Sequence, residues 1–247
     1  MSALLRAELV KLRTTRTTWV LLGVALAIVV GALVLILALL DRGGTVTDDD
    51  LGQLFSFTSI ADLLVLCLGI VAAAGEFRHG TITAGFLITP SRWPVVVAKA
   101  VAYALVGLAY AAATLLVVVV VALPWLAVKD VTLELGGAAW IGPVAGRLLY
   151  AALTAALGVG LGTLFRNQAA ALVTALVVLL AIEPALSAVS EPIATYGLNG
   201  ASAALFGVSD SFGGDVLPFW AGALLYAGYA ALFVGAGIAL TLRRDVG

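Results

Sequence analysis

Gly75-Glu76-Phe77-Arg78-His79-Gly80-Thr81 lies between two long apolar runs and continues to Pro90, Arg92, Pro94 and Lys99. The stretch holds the only histidine and three of the thirteen Lys and Arg residues, in a chain that is 11% charged. Unpaired charges are costly in hydrocarbon, so this interruption belongs in water or against a soluble partner. The runs on either side then read as separate membrane crossings. With 63% hydrophobic residues and a mean hydropathy of +1.16, the chain is far more apolar than an ordinary globular domain. Its 247 residues leave room for about six spans of ~20 residues with their loops.

Outward from the interruption, six apolar segments read as helices, near 19–40, 51–74, 95–123, 143–165, 168–189 and 216–242. They exceed strand length and lack the alternation of a membrane barrel. The first, Trp19–Leu40, is a charge-free run of 22 residues. That is longer than the roughly 7–15 residues of a signal-peptide core, so it is expected to be a retained span. The expected fold is therefore an all-α integral membrane protein forming one transmembrane domain over 1–247.

Charge sets the expected orientation. Six spans place on one side Arg6, Lys11, Arg13, Arg16, Arg78, Arg92, Lys99, Arg166, Arg243 and Arg244, ten of the thirteen basic residues. Only Glu8, Glu76 and Asp245 accompany them. The positive-inside rule makes that side cytoplasmic, with both termini there, as in a multi-pass protein of the cell membrane. Residues 2–17 carry Leu5, Leu9 and Leu12 at helical spacing with Arg6, Lys11 and Arg13 elsewhere around the helix. This pattern fits a short helix on the cytoplasmic interface of the lipid bilayer. On the opposite side, residues 190–215 form a long connection. Its apolar middle, Ala201 to Phe206, is able to dip into the outer leaflet but too short to cross.

Catalytic signatures are missing. The three lysines are followed by Leu12, Ala100 and Asp130, so there is no Gly-Lys-Ser/Thr phosphate loop. A single histidine and a single cysteine, Cys67, leave no zinc pattern and no intrachain disulfide. The sequence points to a non-enzymatic chain with no cofactor, no metal and no nucleic-acid partner. Three charges fall inside spans. Asp62 sits near the middle of the second, either lining a pathway or packed as a hydrogen-bonded aspartate. Glu183 lies ~22 Å and Arg147 ~27 Å from the basic side at 1.5 Å per residue. Those heights favour a structural ion pair between the two. Gly158, Gly160 and Gly162 are expected to serve close packing within the chain. Tyr103, Gly107 and Tyr110 share one face of the third span, as a cavity lining or a packing surface.

This arrangement resembles the permease subunits of ABC-2-type ABC transporters, particularly small actinobacterial ones, over nearly the whole length. The sharpest local element is Glu76-Phe77-Arg78-His79-Gly80-Thr81 with Thr89-Pro90-Ser91-Arg92 and Lys99, similar to the family's E-[YF]-R-x-G-T…P-x-[RS]…K pattern after the second span. The resemblance implies that Glu76, Phe77, Arg78, His79, Gly80, Thr81, Pro90 and Arg92 form a coupling helix seated on a separate cytoplasmic ATPase. It also implies a second permease copy or paired permease, and export of an amphipathic compound or lipid. The rival expectation is a self-contained proton-coupled transporter or channel using Asp62 and Glu183.

Overall fold

The computed structural model describes residues 2–39, 45–46, 61–78, 93–128, 132–133, 141–208 and 216–243. In chain order the elements are α1 (Ser2–Thr14), α2 (Arg16–Leu39), β1 (Thr45–Val46), α3 (Asp62–Arg78), α4 (Trp93–Val128) and β2 (Thr132–Leu133). Then follow α5 (Ile141–Phe165), α6 (Gln168–Ser187), α7 (Glu191–Tyr196), α8 (Leu198–Phe206) and α9 (Phe219–Arg243). Among the described residues the regular structure is helical apart from β1 and β2, which pair in parallel over two residues each.

Among the described residues, five helices are long and apolar enough to cross a bilayer: Arg16–Ala38, Trp93–Ala122, Ile141–Phe165, Gln168–Ser187 and Phe219–Thr241. They coincide with five of the six segments expected from hydropathy. The remaining one, expected over 51–74, is described only from Ala61. Its helix α3 continues to Arg78. Gly75, Glu76, Phe77 and Arg78 are thus a helical end rather than the start of a loop. Arg78 there meets the negative end of the helix dipole.

Helix α5 is the centre of the bundle, packed against α3, α4, α8 and α9. Its glycines explain the close approach. A Cβ on Gly158 would strike the Leu66 carbonyl, and one on Gly162 would lie 2.6 Å from the Ile70 oxygen, both on α3. A Cβ on Gly160 would lie 2.6 Å from the Val234 nitrogen on α9. The Gly-x-Gly-x-Gly run therefore serves two neighbours, turning Gly158 and Gly162 to α3 and Gly160 to α9. Tyr103, Gly107 and Tyr110 likewise pack rather than line an open cavity: both tyrosines are buried, and Gly107 abuts the Ala151 backbone.

The link between α5 and α6 is two residues long. Arg166 takes a left-handed backbone conformation, φ 53°, and the Asn167 side chain caps α6 by accepting the Ala170 N–H at 3.1 Å. Within α6, Val178–Ile182 forms a π-helical turn, and Pro184 follows two residues after it. Proline has no N–H to give and its ring crowds the carbonyl four residues back, so a widened turn ahead of it relieves both problems. The segment expected to dip into the outer leaflet, Ala201 to Phe206, lies in helix α8, which α7 precedes. Ala201, Leu205 and Phe206 are buried against protein, with Phe206 in edge contact with Tyr150 of α5.

Candidate functional site

The basic ends of the helices converge on the end of α3. Helix α1 presents Leu5, Glu8, Leu9 and Leu12 at i, i+3, i+4 and i+7 to the bundle, with Glu8 and Leu12 buried. The leucine stripe is therefore spent on protein contacts, while Arg6, Lys11 and Arg13 lie on the exposed side. Glu8 is the unexpected member of the buried stripe. Its counter-charge is Lys99 in the second turn of α4, whose Nζ donates to Glu8 Oε2 at 2.6 Å and to Glu76 Oε1 at 2.9 Å. Lys11 Nζ donates to Glu76 Oε1 at 2.8 Å and to Glu8 Oε1 at 3.1 Å. Each carboxylate thus faces two ammonium groups, and the cluster has no net charge. The Lys99 side chain is only 5% exposed, whereas that of Lys11 is 56% exposed. Lys99 also lies 5.9 Å from the centre of the Tyr103 ring.

Burial works against the charge on Glu76, but Lys99 and Lys11 outweigh it and hold the carboxyl below its ordinary range. For Lys11, burial favours the neutral amine, yet Glu76 and Glu8 prevail and raise its pKa. Both groups are charged near neutrality.

Phe77 makes the next connection. The Arg166 guanidinium stacks 5.0 Å from its ring centre and donates from Nη2 to the Leu240 carbonyl of α9 at 3.2 Å. Two adjacent residues, Glu76 and Phe77, therefore tie the end of α3 to α1, α4, the α5–α6 turn and, through Arg166, α9. Arg78 is exposed. His79, Gly80, Thr81, Pro90 and Arg92 lie outside the described residues. Of the coupling residues expected from the sequence, Glu76 and Phe77 are engaged inside the chain and Arg78 faces outward. Glu8 and Lys99 complete a cluster that sequence reasoning did not assemble. The available signal was an acid on the apolar stripe of a basic helix, and a lone lysine early in a long apolar helix.

A second polar layer lies toward the opposite end. Arg147 pairs with Asp62, donating from Nη1 to Oδ2, and the two side chains are 1% and 0% exposed. This corrects the expected Arg147–Glu183 pair. Glu183 instead turns to the start of α8, where its Oε1 accepts the Asn199 N–H at 2.8 Å. Asp62 is the first residue of α3 as described, and residues 51–60 of the span expected around it lie outside the described residues. Beside the pair, the Thr154 and Tyr226 hydroxyls share a hydrogen bond of 2.9 Å, and the Tyr150 and Tyr226 rings lie 5.1 Å apart.

No protein-family model matches the chain, and no curated protein matches it.

Proposed function

We propose that this chain is the membrane-spanning permease subunit of an ATP-driven, ABC-2-type exporter. In this reading it crosses the cell membrane six times with both termini in the cytoplasm. It forms the translocation pathway with a second permease copy and takes its power from a separate ABC ATPase. The observation that carries the reading is the double attachment of Glu76 and Phe77. A partner pressing on the segment that begins at Arg78 would meet a helix end already bonded to α1 and α4 on one side and to the α5–α6 turn and α9 on the other. Such an end can pass a displacement to most of the bundle at once. Charge-assisted bonds suit this role because they hold direction as well as contact. The sequence pattern around Glu76–Thr81 and the ten-to-three basic asymmetry support the same assignment.

Purification in mild detergent tests it. The wild-type chain is expected to retain an ABC ATPase, and Arg78→Glu to release it while leaving the chain folded. Stimulation of ATP hydrolysis on reconstitution is expected to fall sharply in Phe77→Ala. Recovery of the chain alone, with transport that persists without ATP and collapses with the proton gradient, would overturn the proposal in favour of the proton-coupled rival.

A further inference from the structure

We propose that the outer face of α1 and the joint between α1 and α2 form a docking face for anionic phospholipid, with Arg6, Arg13 and Arg16 as its headgroup ligands. Helix α1 turns Leu5, Glu8, Leu9 and Leu12 to the bundle, so its leucines are engaged by protein. The opposite face carries Ala3, Arg6, Ala7, Val10 and Arg13 at helical spacing, all of them exposed. Among the described residues, Ala3, Arg6, Ala7 and Val10 line a groove of about 590 Å³. It combines small apolar side chains with one guanidinium.

Charge selects the occupant. Lys11 is committed to Glu8 and Glu76 within the neutral ring. Arg6, Arg13 and Arg16 are exposed, and among the described residues no carboxylate pairs with any of them. Three unpaired guanidiniums favour a group of net negative charge, and a guanidinium meets phosphate through two parallel N–H donors. A zwitterionic headgroup brings its own cation and leaves their charge uncompensated.

The apolar surface beside these arginines selects a lipid over a soluble anion. Helix α2 is long and apolar enough to cross a bilayer from Arg16 onward. One turn after Arg16 begins an exposed stripe of Val20, Val24 and Ile28 at i, i+4 and i+8. Trp19, 61% exposed, reaches back across the joint, its Nε1 donating to the Arg13 carbonyl at 3.0 Å. Tryptophan settles at headgroup depth, which puts Arg13 and Arg16 at that depth too. Thr15 Oγ1 steadies the joint by donating to the Lys11 carbonyl at 2.7 Å. Guanidiniums at the head of a lipid-facing aliphatic stripe match a phosphate above its acyl chains, and basic segments beside a span attract an anionic leaflet. The face is built by α1 and α2 and does not rest on coupling to an ATPase.

Phenylglyoxal modification of the full chain in lipid nanodiscs, read arginine by arginine by mass spectrometry, tests this. Arg78 is the internal control, being exposed at the basic end of the bundle but outside this face. In an equimolar mixture of phosphatidylglycerol and phosphatidylcholine, Arg6, Arg13 and Arg16 are expected to react several-fold more slowly than in phosphatidylcholine alone, with little change at Arg78. Unchanged rates at the three arginines, or equal slowing at Arg78, would overturn the proposal. Equal protection by soluble glycerol phosphate in phosphatidylcholine discs would overturn it in favour of a free-phosphate site. Protection that needs a co-purifying soluble protein and no phosphatidylglycerol would overturn it in favour of a protein contact.

Discussion

The two charged layers hold their ions in different ways. At the basic end, four charges alternate around a ring in which Glu8 and Glu76 each face both Lys11 and Lys99. One member is half in solvent. At the other end, a single carboxylate meets a single guanidinium, both removed from solvent. Losing any one member of the ring leaves every survivor with an opposite charge nearby. Losing a member of the pair strands its partner. Redundancy, rather than the number of bonds alone, separates the two layers.

The largest expected effect breaks the pair. Arg147→Met leaves Asp62 buried and alone and is expected to destabilise the protein by about 3–5 kcal/mol, measured by thermal unfolding in detergent. Asp62→Leu/Arg147→Met should recover most of that loss, since apolar replacement of a whole buried pair is often neutral. At the ring, Lys99→Met sets Glu8 against Glu76 with only the exposed Lys11 between them, and about 2–3 kcal/mol is expected. Acid should act more gently. Glu76 is held below its ordinary pKa, so its contribution is present above an unfolded value of ~4.3 and fades as pH falls through the lower folded value. Lys11 is held above its ordinary value, so its contribution is present below ~10.4 and fades only in stronger alkali. A spin-label distance between Ala3 on α1 and Val101 on α4 is expected to stay flat between these limits and to lengthen in acid. The smallest effect belongs to Lys11→Met, under ~1 kcal/mol because that side chain is largely hydrated. A larger loss there than in Lys99→Met would reverse the contrast between the buried and exposed arms of the ring.

Hydropathy made most of the helices legible, because a bilayer demands long apolar segments whatever their neighbours are. The bounds of α2, α5, α6 and α9 fall within a few residues of those expected. The continuation of α3 through Glu76 was harder to see. Charge is a reason to leave hydrocarbon but not a reason to stop being a helix, and Lys99 and Lys11 make the charge tolerable there. Partner choice was hidden more deeply. Counting 1.5 Å per residue puts Asp62 ~24 Å above Arg78 and Glu183 ~22 Å above Gln168, so height alone offers Arg147 either carboxylate. Which one it meets depends on how the helices are arranged around α5, and no single helix encodes that. Glu8 and Lys99, distant in sequence, were equally visible as lone charges on apolar faces and equally silent about each other.

The π turn in α6 decides where Glu183 points. The buried residues of this helix are Ala171 and Ala175, then Glu183 and Ser187. An unbroken α-helix with Ala171 and Ala175 inward would next turn in positions near 182 and 186, at 3.6 residues per turn. Those positions hold Ile182 and Leu186, which are instead exposed. The widened turn inserts one residue into the count and rotates everything after it by ~100°. Two aliphatic side chains are thereby handed outward, the Glu183 carboxylate is brought in to meet α8, and Ser187 is buried. Removing a single residue from Val178–Ile182 would take out the inserted residue and leave Glu183 and Ser187 on the inner face of a regular helix, whereas tightening the turn at its full length would give that face to isoleucine and leucine. One extra residue in a helix is enough to exchange the polar and apolar faces of its far end.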